Sequence, residues 1–244
     1  MYIHRPHKSR AKVVRAVAAL LTAAAAAAIP ALPHTAAFAA GCGANPGEAP
    51  HWRAVALSGS GSTVIGTQLF TTTPLHWSVG ANNSTSDEAA WLRYANDPAS
   101  SVEGGFYTGF WPYNSGGFTN GLLPYATTGN GIAGAQLPGG YVPANSGVIL
   151  NVRANDSNGT TVVSVNGGSS ALGYSVQSPR QNYAQGEVTQ TSSTWMGGGS
   201  ASEPFNAYWQ DANGTYAWGS HSDCVDPPYY LNSTGANSWN NGGV

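Results

Sequence analysis

Short apolar and β-branched runs, broken by Gly, Asn and Asp, set the rhythm of this 244-residue chain. Val148-Ile149-Leu150-Asn151-Val152-Arg153 faces Thr160-Thr161-Val162-Val163-Ser164-Val165 across Asn155-Asp156-Ser157-Asn158-Gly159. The Asn-Gly pair there supplies the positive φ angles of a tight hairpin. Phe205-Asn206-Ala207-Tyr208-Trp209 faces Thr215-Tyr216-Ala217-Trp218 across Asp211-Ala212-Asn213-Gly214 by the same logic. Further strands are predicted at 63–70, 75–80, 102–111, 171–177 and 183–190. A single short helix is predicted at 87–94, around Glu88-Ala89-Ala90-Trp91-Leu92. Regularly spaced strands with Gly-rich turns predict an all-β sandwich or barrel, and the absence of repeats or linkers predicts one domain.

The start of the chain reads differently. Arg5, Lys8, Arg10, Lys12 and Arg15 are five of its nine basic residues. An uncharged run from Ala16 to Ile29 follows, then the small-residue site Ala37-Phe38-Ala39. These are the three regions of a secretory signal peptide, so residues 1–39 are expected to be removed and 40–244 to form the secreted, extracellular domain. The apolar run is short for a membrane span, and no later one is longer. Past Ala39 only four arginines face eleven acidic residues, a formal charge of −7. That excess argues against nucleic acid or an anionic membrane as partner. Aromatic residues are abundant (8 Trp, 12 Tyr, 6 Phe) and charge is sparse, which argues against disorder.

Cys42 and Cys224 are the two cysteines. In an exported chain the expectation is one disulfide joining the ends of the domain, worth ~5 kcal/mol on the chain-entropy account. The rival reading makes Cys42 a lipid-anchored first residue, but Ala39-Ala40-Gly41 before it lacks the usual aliphatic residue.

Two glutamates stand inside predicted strands. In Ser101-Val102-Glu103-Gly104-Gly105-Phe106-Tyr107-Thr108-Gly109-Phe110-Trp111, a period of two puts Glu103 on one face with Gly105, Tyr107, Gly109 and Trp111. In Asn182-Tyr183-Ala184-Gln185-Gly186-Glu187-Val188-Thr189, Glu187 shares a face with Tyr183, Gln185 and Thr189. Glutamate is depleted in strands, and strand glycine marks close approach by a ligand or another backbone. The plain alternative is a pair of solvated carboxylates on an outward sheet face.

These segments resemble the neprosin family of glutamic endopeptidases. Val102-Glu103-Gly104-Gly105-Phe106 is similar to that family's Ile-Glu-Ala-Gly-Trp, and Gln185-Gly186-Glu187-Val188 to its Gly-Gly-Glu-Val. Thr191 through Gly199, Pro204-Phe205-Asn206-Ala207-Tyr208-Trp209, and the closing Asp223-Cys224, Ser238-Trp239 and Gly242-Gly243 follow in the family's order. Ala184 and Gln185 stand where the family has Trp before its Gly-Gly-Glu. The resemblance implies a jelly-roll-like β-sandwich of two antiparallel sheets with both glutamates on a concave face. It implies a polypeptide substrate and no metal or cofactor. By analogy Glu187 is general base and later acid, and Glu103 the oxyanion partner, with the order open to reversal. Tyr107, Trp111 and Gln185 would line the cleft. Two nearby carboxyl groups share a proton, so such a pair works at acid pH.

Other classes fit the same residues. Paired carboxylates beside Trp also serve glycosidases, and a secreted binding module could use the glutamates only as hydrogen-bond acceptors. A monomer is expected for the peptidase reading. Gly129-Asn130-Gly131-Ile132-Ala133-Gly134 imitates a dinucleotide fingerprint but lacks the strand-turn-helix context. His51, His76 and His221 lack metal-ligand spacing, and there is no Gly-x-Ser-x-Gly elbow.

Overall fold

The computed structural model describes residues 51–73, 85–110, 118–128, 134–189 and 203–243. Among them there are fifteen strands and no helix. In chain order these are β1 (His51–Gly61), β2 (Gly66–Thr72), β3 (Thr85–Tyr94), β4 (Asp97–Phe110) and β5 (Phe118–Thr128). Next come β6 (Gly134–Gln136), β7 (Gly147–Asn155), β8 (Thr160–Val165), β9 (Gly168–Leu172) and β10 (Arg180–Thr189). Last are β11 (Glu203–Gln210), β12 (Thr215–Ala217), β13 (Ser222–Val225), β14 (Tyr230–Gly235) and β15 (Ser238–Gly242).

The strands form two antiparallel sheets. Seven lie in the order β13-β1-β10-β3-β4-β5-β6, and the second sheet runs β14-β15-β11-β2-β7-β8-β9 with β12 added beside β11. The chain changes sheet repeatedly, so β1 lies beside β10 and β2 beside β11. The predicted β-sandwich is therefore the fold.

Period-two patterning explains the core. β7 alternates strictly, with Val148, Leu150, Val152 and Ala154 buried. These pack with Val163 and Val165 of β8, and with Leu69, Phe205 and Ala207 of the same sheet. Facing them are Ala56, Ala90, Leu92, Val102, Phe106, Ala126 and Ala184 of the seven-stranded sheet. Each fully buried Leu or Phe contributes about 1.5–3 kcal/mol of transfer free energy. Phe205, Trp239 and Trp218 form a continuous stack at one end.

Turn chemistry explains the hairpins. Between β7 and β8, Gly159 takes φ 67°, while Asn158 caps the turn by accepting from the Thr160 amide at 3.2 Å. Asp211 accepts from the Asn213 and Gly214 amides at 2.7 and 2.9 Å between β11 and β12. The β8–β9 link, Asn166-Gly167, has φ 47° and 87°, the two-residue turn that matches strand twist.

The predicted helix at 87–94 is a correction: these residues lie within β3, hydrogen-bonded to β10 on one side and β4 on the other. Ala, Leu and Glu favour helix in isolation. Here the ladders on both flanks win, because Ala90 and Leu92 enter the core while Asp87, Ala89 and Trp91 alternate to the opposite face. The strand predicted at 171–177 stops at Leu172, and that at 63–70 begins only at Gly66. Residues 75–80 and the 1–39 leader lie outside the described residues. β1, β5, β6 and β13–β15 add to the strands the sequence pattern predicts.

Candidate functional site

The register of four strands places the site. Row by row across β4, β3 and β10, Glu103 pairs with Trp91 and Trp91 with Tyr183. Gly105 pairs with Ala89 and Ala89 with Gln185. Tyr107 pairs with Asp87 and Asp87 with Glu187. Residues two apart on a strand share a face, so these nine side-chain positions make one patch. Phe106, Ala90, Leu92 and Ala184 alternate to the inter-sheet core, so the patch lies on the face away from the second sheet.

The centre of this grid is Ala89, with Gly105 beside it. Large residues stand around these two small ones, and Tyr125 and Tyr107 pack in one buried cluster with Ala89. Glu103 and Glu187 occupy diagonal corners, each about 8 Å from Ala89 between Cα atoms at ordinary strand spacings. Both are buried, at 8% and 6% exposure, and Asp87 is 8% exposed. A buried carboxylate needs a donor or a proton.

Donors are present. The Tyr125 hydroxyl, on β5, donates a hydrogen bond to Glu103 Oε1 and lies 3.3 Å from Asp87 Oδ1. Tyr125 pairs with Gly105 in register, so its phenol crosses β4 where no side chain obstructs it. Burial pushes the Tyr125 phenol well above its ordinary pKa, and the charges of Asp87, Glu103 and Glu187 add to this, so it keeps its proton. Gln185 Nε2 donates to Glu187 Oε2 at 2.9 Å. Tyr107 packs edge-on against Tyr125, and burial raises its phenol as well. Arg93, buried at the Trp91 end, donates to Gln181 and sits over the Tyr183 ring.

Two buried polar atoms in the patch lack a partner among the described residues: the Gln185 Oε1 acceptor and the Trp91 Nε1 donor. Leaving each unmade costs about 1–3 kcal/mol. Together they offer one acceptor and one donor, the complement of a peptide group.

Of the expected site residues, Glu103, Glu187, Tyr107 and Gln185 share the patch, while Trp111 and Cys42 lie outside the described residues. Cys224 is half-buried on β13, paired with Val55, and packs against Val55, Leu57 and Tyr183. The two glutamates are not register partners: the acid across from Glu187 is Asp87. Asp87, Trp91 and Tyr125 escaped the sequence reading. The period-two alternation of Asp87, Ala89 and Trp91 is the signal in the chain that marks Asp87 and Trp91. No group of three His, Cys, Asp or Glu side chains among the described residues is arranged to hold a metal ion.

A Ser-His-Asp trio exists elsewhere. His221 Nδ1 contacts Asp223, and Nε2 lies 3.2 Å from both Ser233 Oγ and the Gly235 carbonyl. Both ring nitrogens thus face acceptors, which assigns a hydrogen to each, and a protonated Nε2 cannot take a proton from serine. This trio is a clasp between β13 and β14, not a nucleophile relay.

No family model matches the chain, and no curated protein matches its sequence. Its fold is similar to two solved structures of scytalido-glutamic peptidase. The complex with a peptide-based transition-state analogue aligns at TM-score 0.51 with 11% identity, covering 81% of this chain and 99% of that one. The complex with a transition-state analogue inhibitor aligns at 0.52, with the same identity and coverage. The sandwich is therefore a glutamic peptidase-like fold.

Proposed function

We propose that this chain is a secreted, acid-active glutamic endopeptidase of neprosin-like type, cutting polypeptides with Glu103 and Glu187. The observation that carries this reading is the diagonal placement of two buried glutamates about Ala89 and Gly105, each with one oxygen already held by a neutral donor. The unpartnered acceptor of Gln185 and donor of Trp91 match the two hydrogen-bonding groups of a peptide. Scytalido-glutamic peptidase is bound to a peptide-based analogue, and we carry that substrate class over.

In this mechanism Glu187 is ionised. Gln185 Nε2 stabilises its Oε2, and the other oxygen takes a proton from water as the water attacks the amide carbon. Glu103 is neutral. Its Oε1 accepts from Tyr125, which leaves the proton on Oε2 to be donated to the developing oxyanion. As the C–N bond breaks, Glu187 passes its proton to the leaving amine, and the intermediate returns a proton to Glu103 as its carbonyl re-forms. The site needs one proton retained and one carboxylate free, which sets an acid working range.

Export, removal of residues 1–39 and a Cys42–Cys224 bridge belong to the same proposal. A secreted product starting after Ala39, with no titratable thiol before reduction, would establish all three. The decisive experiment incubates purified Glu103→Gln, Glu187→Gln and wild-type protein with denatured protein at acid and neutral pH. Peptides should be released by the wild type only, with the circular dichroism of all three unchanged. Wild-type rates in either variant would sink the assignment.

A further inference from the structure

Two glutamates account for the proposed chemistry, yet three buried acids meet in this patch. Asp87 occupies the middle of its row, between Tyr107 on β4 and Glu187 on β10. Direct antiparallel partners have Cβ atoms about 4.5–5.5 Å apart, so the Asp87 and Glu187 carboxyl groups are within reach of each other. Asp87 also faces Glu103 through one shared atom. The Tyr125 hydroxyl carries a single hydrogen and contacts an oxygen of each acid. Two such contacts cannot both be full hydrogen bonds unless a carboxyl supplies a second hydrogen.

We infer that Asp87 is a positioning residue of this site, the third acid that keeps a proton on the glutamates by standing across the ladder from Glu187 and sharing the Tyr125 hydroxyl with Glu103. This rests on the peptidase reading for its purpose but not for its measurement. A separate observation marks the place as built for a ligand: Gln185, 1% exposed and bonded to Glu187 through Nε2, leaves its Oε1 without a donor among the described residues. A substrate N–H placed there would sit beside the acids.

Among the described residues, the titratable groups facing Asp87 and Glu187 are Glu103 and Tyr107 from β4, Tyr125 from β5 and Tyr183 from β10, with Arg93 at the far end of β3. Arg53 is the β1 residue paired with Glu187. A negative charge at Asp87 disfavours ionisation of each glutamate. Interacting carboxyl groups of this kind are coupled by about one pH unit or more. Asp87 therefore holds a proton in the site to higher pH than the two glutamates would without it.

The test uses the full chain and two readouts. In Asp87→Asn, the carboxyl carbons of Glu103 and Glu187, followed by NMR in carbon-13-labelled protein, should titrate about one pH unit lower than in wild type. Both edges of the pH profile of peptide hydrolysis should move to lower pH by a similar amount, and Asp87→Glu should restore them. If Asp87→Asn does not fold, Glu187→Gln serves instead, since the coupling is reciprocal: the Asp87 carboxyl should then titrate lower. Unmoved glutamate titrations, or an unmoved Asp87 in the second variant, overturn the inference whatever the activity. Shifted titrations in a protein that cleaves no peptide at any pH uphold Asp87 and remove the peptidase reading.

Discussion

Gly105→Ala is the sharpest structural perturbation available at the site. A Cβ added to Gly105 would lie 2.0 Å from the Glu88 carbonyl oxygen and 2.8 Å from Ala89 Cα. Both are main-chain atoms of β3, so no side-chain rotation relieves them. Reaching ordinary contact, 3.4 Å or more, requires the two strands to part locally by about 1.4 Å. Overpacking of this kind costs about 1–3 kcal/mol, and backbone resistance puts Gly105 near the top of that range. For a domain of this size the melting temperature should fall by roughly 4–10 °C. Gly147→Ala is the matched control, because a Cβ there has nothing within 4 Å and surface changes stay within about 0.5 kcal/mol. The assay is thermal unfolding followed by near-ultraviolet circular dichroism of the aromatic residues. Parting β4 from β3 here also moves Glu103 relative to Ala89. A displacement near 1 Å can cost about 100-fold in catalysis, so kcat/KM for peptide hydrolysis should drop by about that factor. A Gly105→Ala protein that melts with the Gly147→Ala control would refute the β3–β4 register and the placement of Glu103 with it.

Tyr125→Phe should destabilise the protein by about 1.5–3 kcal/mol, the usual worth of a hydrogen bond to a charged group, measurable by urea unfolding near neutral pH. It removes a donor that favours ionised Glu103, so the alkaline edge of the activity profile should move to higher pH, opposite to Asp87→Asn; a shift to lower pH would contradict the assigned donor. His221 is held above the ordinary histidine range chiefly by its hydrogen bond to Asp223. Its folded value lies above its unfolded one, so its contribution is fully present below about pH 6.5 and is lost as pH rises through the raised value. The gap in melting temperature between wild type and His221→Gln should therefore be wider at pH 5 than at pH 8, and a constant gap would dismiss the clasp.

The all-β class and the alternation around Glu103 and Glu187 were legible in the chain. So was the strict pattern of Val148, Leu150, Val152 and Ala154. Each depends on neighbours two residues apart or on turn residues such as Gly159, and such information is local. The same period assigned Tyr107 and Gln185 to the right faces. The stretch around Glu88-Ala89-Ala90 misled, because its intrinsic helix preference is also local and nothing nearby contradicts it.

The composition of the site was decided elsewhere. Asp87 meets Glu187 a hundred positions later, and Tyr125 reaches Asp87 over a strand that lies between them. Which residues stand in one row depends on the register of β3 against β10 and β4, and a slip of one residue would turn every one of these side chains to the other face. That register is set by the fit of Leu92, Val102, Phe106 and Ala184 into the inter-sheet core, a balance over the whole sandwich. Alternation along a strand told which side chains look outward. Only packing between distant strands could choose which of them look at each other.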